Sequence, residues 1–261
     1  MHKARDLSFL DTIMITSRVF HPRKASYYGN DKKQQFSLCF QVEESVNICG
    51  IFYKSSEDAP TILFFHGNGE IAQDYQGLAP VFRKRGINFL VVDYRGYGES
   101  TGKPTFSNMI SDSHIIYQEV RKFLTERKFT GPLSIMGRSL GSACAIELAT
   151  HYQDQVGNLI IESGFAFTYE LFIRLGVPPN LLPREREEEA SSLPLMKGIK
   201  IPTLIIHGEN DFIIPVNKGY ALYDNVASEK KELLIIPNAG HNDLLLVGFQ
   251  QYIEAVDKLL S

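Results

Sequence analysis

Beyond Pro60 the chain carries six apolar runs that show no alternation: Ile62–Phe65, Phe89–Val92, Leu133–Met136, Leu159–Ile161, Leu204–Ile206 and Leu233–Ile236. Unbroken runs of this length are expected of strands covered on both faces. Helical spacing separates most of them. Leu78, Val81 and Phe82 end at Gly86, expected just past a helix C-terminus, and Ile110, Tyr117, Val120 and Leu124 follow Ser107, an expected N-cap. Leu245, Phe249, Ile253, Val256 and Leu260 form a C-terminal stripe at helical spacing. Buried strands alternating with helices predict a parallel, doubly wound α/β sheet with helices on both faces. Before Pro60 the period is two: Phe36, Leu38, Phe40 and Val42 alternate with polar or small residues, and Glu43-Glu44-Ser45 leads into Val46, Ile48, Gly50 and Phe52. That pattern predicts a half-buried antiparallel hairpin at the start of an otherwise mostly parallel sheet.

Between Gly164 and Lys200 the rhythm breaks. Phe165, Phe167, Tyr169, Leu171, Phe172, Ile173, Leu175, Val177 and Leu181 crowd together, interrupted by Pro178-Pro179 and Pro183. A small cap insertion is expected at about 165–199, within one domain covering 1–261.

Ligands of such sheets bind beyond the carboxyl ends of the strands, so the residues after each run are the ones to examine. Gly137-Arg138-Ser139-Leu140-Gly141 follows Leu133–Met136 and opens into Ser142-Ala143-Cys144-Ala145. A serine between two glycines at a strand-to-helix corner is a nucleophile elbow, which raises the Ser139 hydroxyl above the sheet beside a helix N-terminus. Asp211 follows Leu204–Ile206 in His207-Gly208-Glu209-Asn210-Asp211, and His241 follows Leu233–Ile236 in Ala239-Gly240-His241-Asn242-Asp243. The roles follow from proton affinity. A serine hydroxyl is a poor nucleophile at neutral pH, so His241 is expected to take its proton while Asp211 holds the imidazole in the useful tautomer. A tetrahedral intermediate also needs donors for its oxyanion, expected from the backbone N–H of Leu140 and that of Asn68 in His66-Gly67-Asn68-Gly69.

These segments, with Asp93-Tyr94-Arg95-Gly96-Tyr97-Gly98-Glu99-Ser100, resemble the α/β-hydrolase superfamily, and within it the Bem46/ABHD17-like and S33 serine-aminopeptidase-like hydrolases. The likeness runs from about Phe36 to the C-terminus. It implies the α/β-hydrolase fold and serine-dependent cleavage of esters, thioesters or amides, with no metal and no organic cofactor. Bem46-like relatives carry an N-terminal membrane anchor and ABHD17-like ones a cysteine-rich palmitoylated N-terminus. Neither pattern occurs in this sequence, so the expected substrate is a small-molecule acyl ester or thioester rather than a lipidated protein at a membrane.

Other groups compete for these roles. His66 and His207 each precede glycine at a strand end and are expected to make structural hydrogen bonds. His2, His21, His114 and His151 are expected to be solvated. Glu162, ending Leu159–Ile161, is the alternative acid, and Asp243 is expected to cap the last helix. Asp93 and Arg95 are expected to tie down their glycine-rich loop. Gly67-Asn68-Gly69-Glu70-Ile71-Ala72, with Asp93 beyond, also fits a dinucleotide-binding fingerprint, which would leave the Ser139, Asp211 and His241 loops unexplained. Ser100–Thr105 lacks the earlier glycine and the hydroxyl residue after lysine of a phosphate loop, and nothing has metal-ligand spacing.

Composition narrows the setting. The 261 residues are 44% hydrophobic, enough for a substantial core, and a net charge of −3 leaves no footprint for nucleic acid. Arg184–Glu189 reads as a solvated helix face. Three cysteines (Cys39, Cys49, Cys144) without metal spacing read as reduced and buried. No apolar stretch is long enough to span a bilayer, and Asp6 and Asp11 interrupt the N-terminus, a poor signal peptide. The expectation is a soluble cytoplasmic protein.

Overall fold

The computed structural model describes residues 5–27 and 34–261, so His2 lies outside the described residues. The chain divides into two compact units, Met1–Ser134 and Ile135–Ser261. In the first, β1 (Gln35–Glu43) and β2 (Val46–Tyr53) form the expected hairpin, followed by β3 (Thr61–Phe65) and β4 (Asn88–Val92) in the order β1-β2-β4-β3. The β1–β2 and β2–β4 pairs are antiparallel and β3–β4 is parallel. In β2, Ile48 through Tyr53 are all buried, so both faces of the strand are covered and its alternation is lost. Only β1 keeps an exposed face.

Helices α1 (Ile13–Val19), α2 (Ala79–Lys84) and α3 (Phe106–Glu126) complete this unit. Gly86 follows α2 at φ +72°, as expected of its position. The N-cap of α3 is Thr105 rather than Ser107: Thr105 Oγ accepts from Asn108 N–H at 3.2 Å while Asn108 Oδ1 accepts from Thr105 N–H at 2.9 Å. This reciprocal box outcompetes Ser107, which binds Asp11 instead. Asp93 and Arg95 do anchor their loop. Asp93 Oδ1 accepts from Ala72 N–H at 3.0 Å, and Arg95 pairs with both oxygens of Asp112 at 2.7 and 2.8 Å.

The cysteine expectation fails. Cys39 and Cys49 are joined in a disulfide, Cys39 is exposed, and only Cys144 is free and buried. The cause is register. An irregularity between Gln41 and Glu43 slides the pairing by one residue, so Cys39 stands directly opposite Cys49 with their Cα atoms 4.1 Å apart. Counting cysteines could not see that bulge, and the support it lent to a reducing compartment is withdrawn.

From Ile135 on, the second unit holds four parallel strands in sequential order, β5 (Leu133–Arg138, its first two residues in the first unit), β6 (Leu159–Glu162), β7 (Thr203–Gly208) and β8 (Lys231–Ile236). The first three are buried throughout, while β8, pairing in this unit with β7 alone, is half-buried for five of its six residues. Helix α4 (Ser142–Tyr152) follows β5. After β6 come α5 (Thr168–Arg174), two 3-10 turns, α6 (Glu187–Ala190) and α7 (Leu193–Met196), a run kept short by its prolines. The segment folds on itself: Ser191 Oγ donates to Ala166 O at 3.0 Å and Tyr169 OH to Pro183 O at 2.8 Å. Five of its nine apolar residues named above are core: Phe165, Tyr169, Leu171, Phe172 and Val177.

Helices α8 (Asn217–Asn225), α9 (Leu244–Val247) and α10 (Phe249–Leu260) finish the chain. Its last helical stripe is split at Gly248, leaving Phe249 exposed and burying Tyr252, Ile253 and Val256. Two histidines expected in solvent are not there: His114 is buried and His151 half-buried, whereas His21 is exposed. Among the described residues no helix is long and apolar enough to cross a membrane.

Candidate active site

Strand β5 enters a 3-10 turn at Ser139–Gly141 that leads into α4. Ser139 holds φ +50°, a left-handed conformation that costs a non-glycine residue about 1–3 kcal/mol and tends to persist where function requires it. The turn needs glycine at 137, since a Cβ there would lie 2.4 Å from the Gly141 carbonyl oxygen. Ser142 Oγ donates to the Ser139 carbonyl at 2.7 Å and helps hold the corner.

Two further strand ends bring their side chains to Ser139. His241 Nε2 stands 3.0 Å from Ser139 Oγ, and His241 Nδ1 stands 2.7 Å from Asp211 Oδ2. All three residues are buried, at 7%, 8% and 4% exposure for Ser139, His241 and Asp211. A carboxylate can only accept, so the proton sits on Nδ1 and Nε2 is left to accept the serine hydroxyl. The histidine and acid loops are laced together: Asn210 N–H donates to Ala239 O at 2.8 Å and Asn238 N–H to Glu209 Oε2 at 3.0 Å. Gly208 permits this, because a Cβ there would meet the Ala239 and Gly240 carbonyls at 2.5 Å.

Asp211 is held by more than the imidazole. Its Oδ1 accepts the backbone N–H groups of Ile213 and Ile214 at 2.9 and 2.7 Å. His207 Nε2 donates to Ile214 O at 2.7 Å and lies 3.4 Å from Asp211 Oδ2. Burial is the largest single influence on this carboxyl and opposes its charge. The hydrogen bonds from His207, His241 and Ile214, with the charge attraction of His241, together outweigh burial and hold it well below the ordinary carboxylate range.

The competing groups have other partners. Glu162 accepts from Arg138 Nε at 2.9 Å and from Tyr252 OH at 2.6 Å. Asp243 makes no side-chain cap; its Oδ1 takes the Gly240 N–H at 2.6 Å and tightens the His241 loop. His66 is buried, with Nδ1 2.8 Å from Gly67 O and Nε2 3.2 Å from Asp93 Oδ1. Leu140 lies in the 3-10 turn directly after Ser139. Asn68 belongs to the first unit, where its Oδ1 accepts from His21 N–H at 3.1 Å and Tyr97 OH at 2.9 Å. The dinucleotide fingerprint is not formed. Gly67 N–H is taken by Glu70 Oε2 at 2.7 Å, the strand leads into a 3-10 turn (Ala72–Gln76), and Asp93 is fully buried.

Residues 56–181 and 190–245 match the family described as serine aminopeptidase, S33. The chain belongs to that family. It is 31% identical over 198 residues to the protein Bem46 of Schizosaccharomyces pombe, covering 74% of this chain and 65%, just under two thirds, of that relative. It is 28% identical over 245 residues to human alpha/beta hydrolase domain-containing protein 17B, covering 91% of this chain and 80% of the relative. Among solved structures the Pyrococcus furiosus esterase Pf2001 superposes with a TM-score of 0.74 over 92% of this chain and 97% of its own, at 19% identity. This member of the family described as serine aminopeptidase, S33, therefore has the α/β-hydrolase fold. Arg138, the residue between Gly137 and the elbow serine, drew no attention as a side chain in the sequence. A lone charge ending an apolar strand was the available signal.

Proposed function

We propose that the protein cleaves carboxylic esters or thioesters, with amides a further class, through a Ser139–His241–Asp211 triad and an acyl-enzyme. The observation that carries this reading is the unbroken pair of hydrogen bonds from Ser139 to His241 at 3.0 Å and from His241 to Asp211 at 2.7 Å, in a buried cluster. Ser139 attacks the acyl carbonyl as His241 Nε2 takes its proton, and Asp211 stabilises the imidazolium that forms. The oxyanion needs backbone donors, of which the Leu140 N–H, directly after Ser139, is one, contributing roughly 3–4 kcal/mol to the transition state. His241 then gives its proton to the leaving oxygen or sulfur, and the same imidazole activates the water that releases the acid. No metal or organic cofactor enters any step.

The segment 165–199 is the cap, and its apolar side chains favour short or medium acyl chains over charged substrates. Phe165, Phe167 and Leu171 of this segment meet Ile213 and Ile214 of the loop that holds Asp211 around a small depression that Glu170, Arg174 and Lys218 also line, so the segment's apolar residues lie beside the acid loop. The test is a series of p-nitrophenyl esters from acetate to octanoate. The expected result is a chain-length optimum together with a fall in kcat of roughly 10⁴–10⁶ for Ser139→Ala. Flat activity along the series would remove the acyl pocket, and full turnover by Ser139→Ala would remove the mechanism.

A further inference from the structure

Between Gly137 and the elbow serine, a place where a small neutral residue would satisfy the turn, this chain buries a guanidinium. Arg138 is 7% exposed, and its acceptors include groups on two other segments. Nε donates to Glu162 Oε1 at 2.9 Å, and Nη2 donates to the His241 backbone carbonyl at 2.8 Å and to Asn242 Oδ1 at 2.9 Å. Glu162 sits directly opposite Arg138 in the β5–β6 register, and its other oxygen accepts from Tyr252 OH at 2.6 Å, on α10. One planar group thus joins the strand that leads into Ser139 to the peptide of the histidine that must serve it.

Burying a charged pair is a poor route to stability, because desolvation opposes the attraction between the partners. An apolar pair of similar size would fill the space at lower cost. The arrangement has a different consequence. His241 lies on a loop after the half-buried strand β8, and the direction of its imidazole depends on where that loop holds its backbone. The fork of an arginine imposes direction as well as distance, which a point charge on a lysine does not. Asp243 tightens the same loop from within, and Arg138 ties it to the nucleophile's own strand.

Resting on the triad reading above, we propose that Arg138, oriented by Glu162 and Tyr252, is a positioning residue that sets the His241 imidazole at hydrogen-bonding distance from Ser139. Glu162 is then the partner of that arginine and not a second catalytic acid.

The experiment compares Arg138→Lys, Arg138→Ala and Glu162→Gln with the wild type on a p-nitrophenyl ester, after thermal melts establish that each is folded at the assay temperature. The expected result is a fall in kcat of about 10–100-fold with KM unchanged within about twofold, the scale of loss from an ångström of misplacement. Arg138→Lys should retain more activity than Arg138→Ala, and added guanidinium should restore part of the Arg138→Ala loss. The second-order rate of serine labelling by a fluorophosphonate should fall by a similar factor, since that step needs the same imidazole. Folded variants with wild-type kcat would overturn the proposal. So would losses that neither guanidinium nor lysine relieves and that track only the folded fraction. If Arg138→Ala does not fold, Glu162→Gln and Arg138→Lys, which keep the volume of the site, still decide the matter. A wild-type enzyme that no fluorophosphonate labels would instead bring down the triad reading, a distinguishable failure.

Discussion

Asp211 divides its two oxygens between two tasks. Oδ1 takes the Ile213 and Ile214 N–H groups and so shapes its own loop, while Oδ2 faces His241. Replacing it with asparagine keeps the shape but lets an amide N–H face Nδ1, which favours the tautomer that cannot accept from serine. Asp211→Asn should therefore lower kcat by roughly 10³–10⁴-fold with a modest change in KM, measured in ester turnover. The same residue has a signature in stability. Its carboxyl is held below the ordinary range in the folded state, so folding is favoured by its ionisation. That contribution is present in full above the unfolded value of about 3.9 and is lost as pH falls from there toward the depressed folded value. Urea midpoints measured from about pH 5 downward should fall for the wild type, and the fall should be shallower for Asp211→Asn. At this scale the sequence was informative about which groups meet: Ser139, Asp211 and His241, each placed after an apolar run, are brought into hydrogen-bonding distance. Arg138 was not legible, because its function lies in a carbonyl 103 positions away that no local pattern reveals.

Each element that carries these residues is constrained by what its neighbours leave room for. At the end of β5, a methyl group at 137 would press on a backbone carbonyl that has nowhere to go. Gly137→Ala should cost about 1–3 kcal/mol or more and displace Ser139, read as a lowered urea midpoint together with a large loss of kcat. The first hairpin was legible as a hairpin, from its period of two, but its register was not. A single bulged position decides whether Cys39 faces Cys49, and composition carries no trace of it. The bridge closes a short loop, ten residues along the chain, and its removal should cost about 2–4 kcal/mol. Melting Cys39→Ser/Cys49→Ser, or the wild type in dithiothreitol, checks this directly. The α3 cap and the split last helix failed for a related reason. Thr105 and Asn108 form a reciprocal pair that single-residue preference misses, and Gly248 packs so closely on Ile236 that helix and stripe part there.

For the molecule as a whole, alternation of apolar runs and helical spacing was enough to indicate a mostly parallel α/β sheet, because buried strands in such sheets are written as continuous apolar segments, while the α/β-hydrolase fold came from the resemblance carried by the motifs at the strand ends. It was not enough to say which strands keep a wet face, since that depends on neighbours, as β2 and β8 both illustrate. Chemistry at the strand ends is more legible than packing because only a few residue types can do it. The S33 family membership, the fold it shares with an archaeal esterase and the buried Ser139–His241–Asp211 chain all bear on one claim: a single activated serine does the work. Intact-mass spectrometry after incubation with a fluorophosphonate addresses it most directly. One covalent adduct per chain, mapped to Ser139 and absent in Ser139→Ala, is the predicted result. An adduct on another residue, or undiminished labelling of Ser139→Ala, would contradict it.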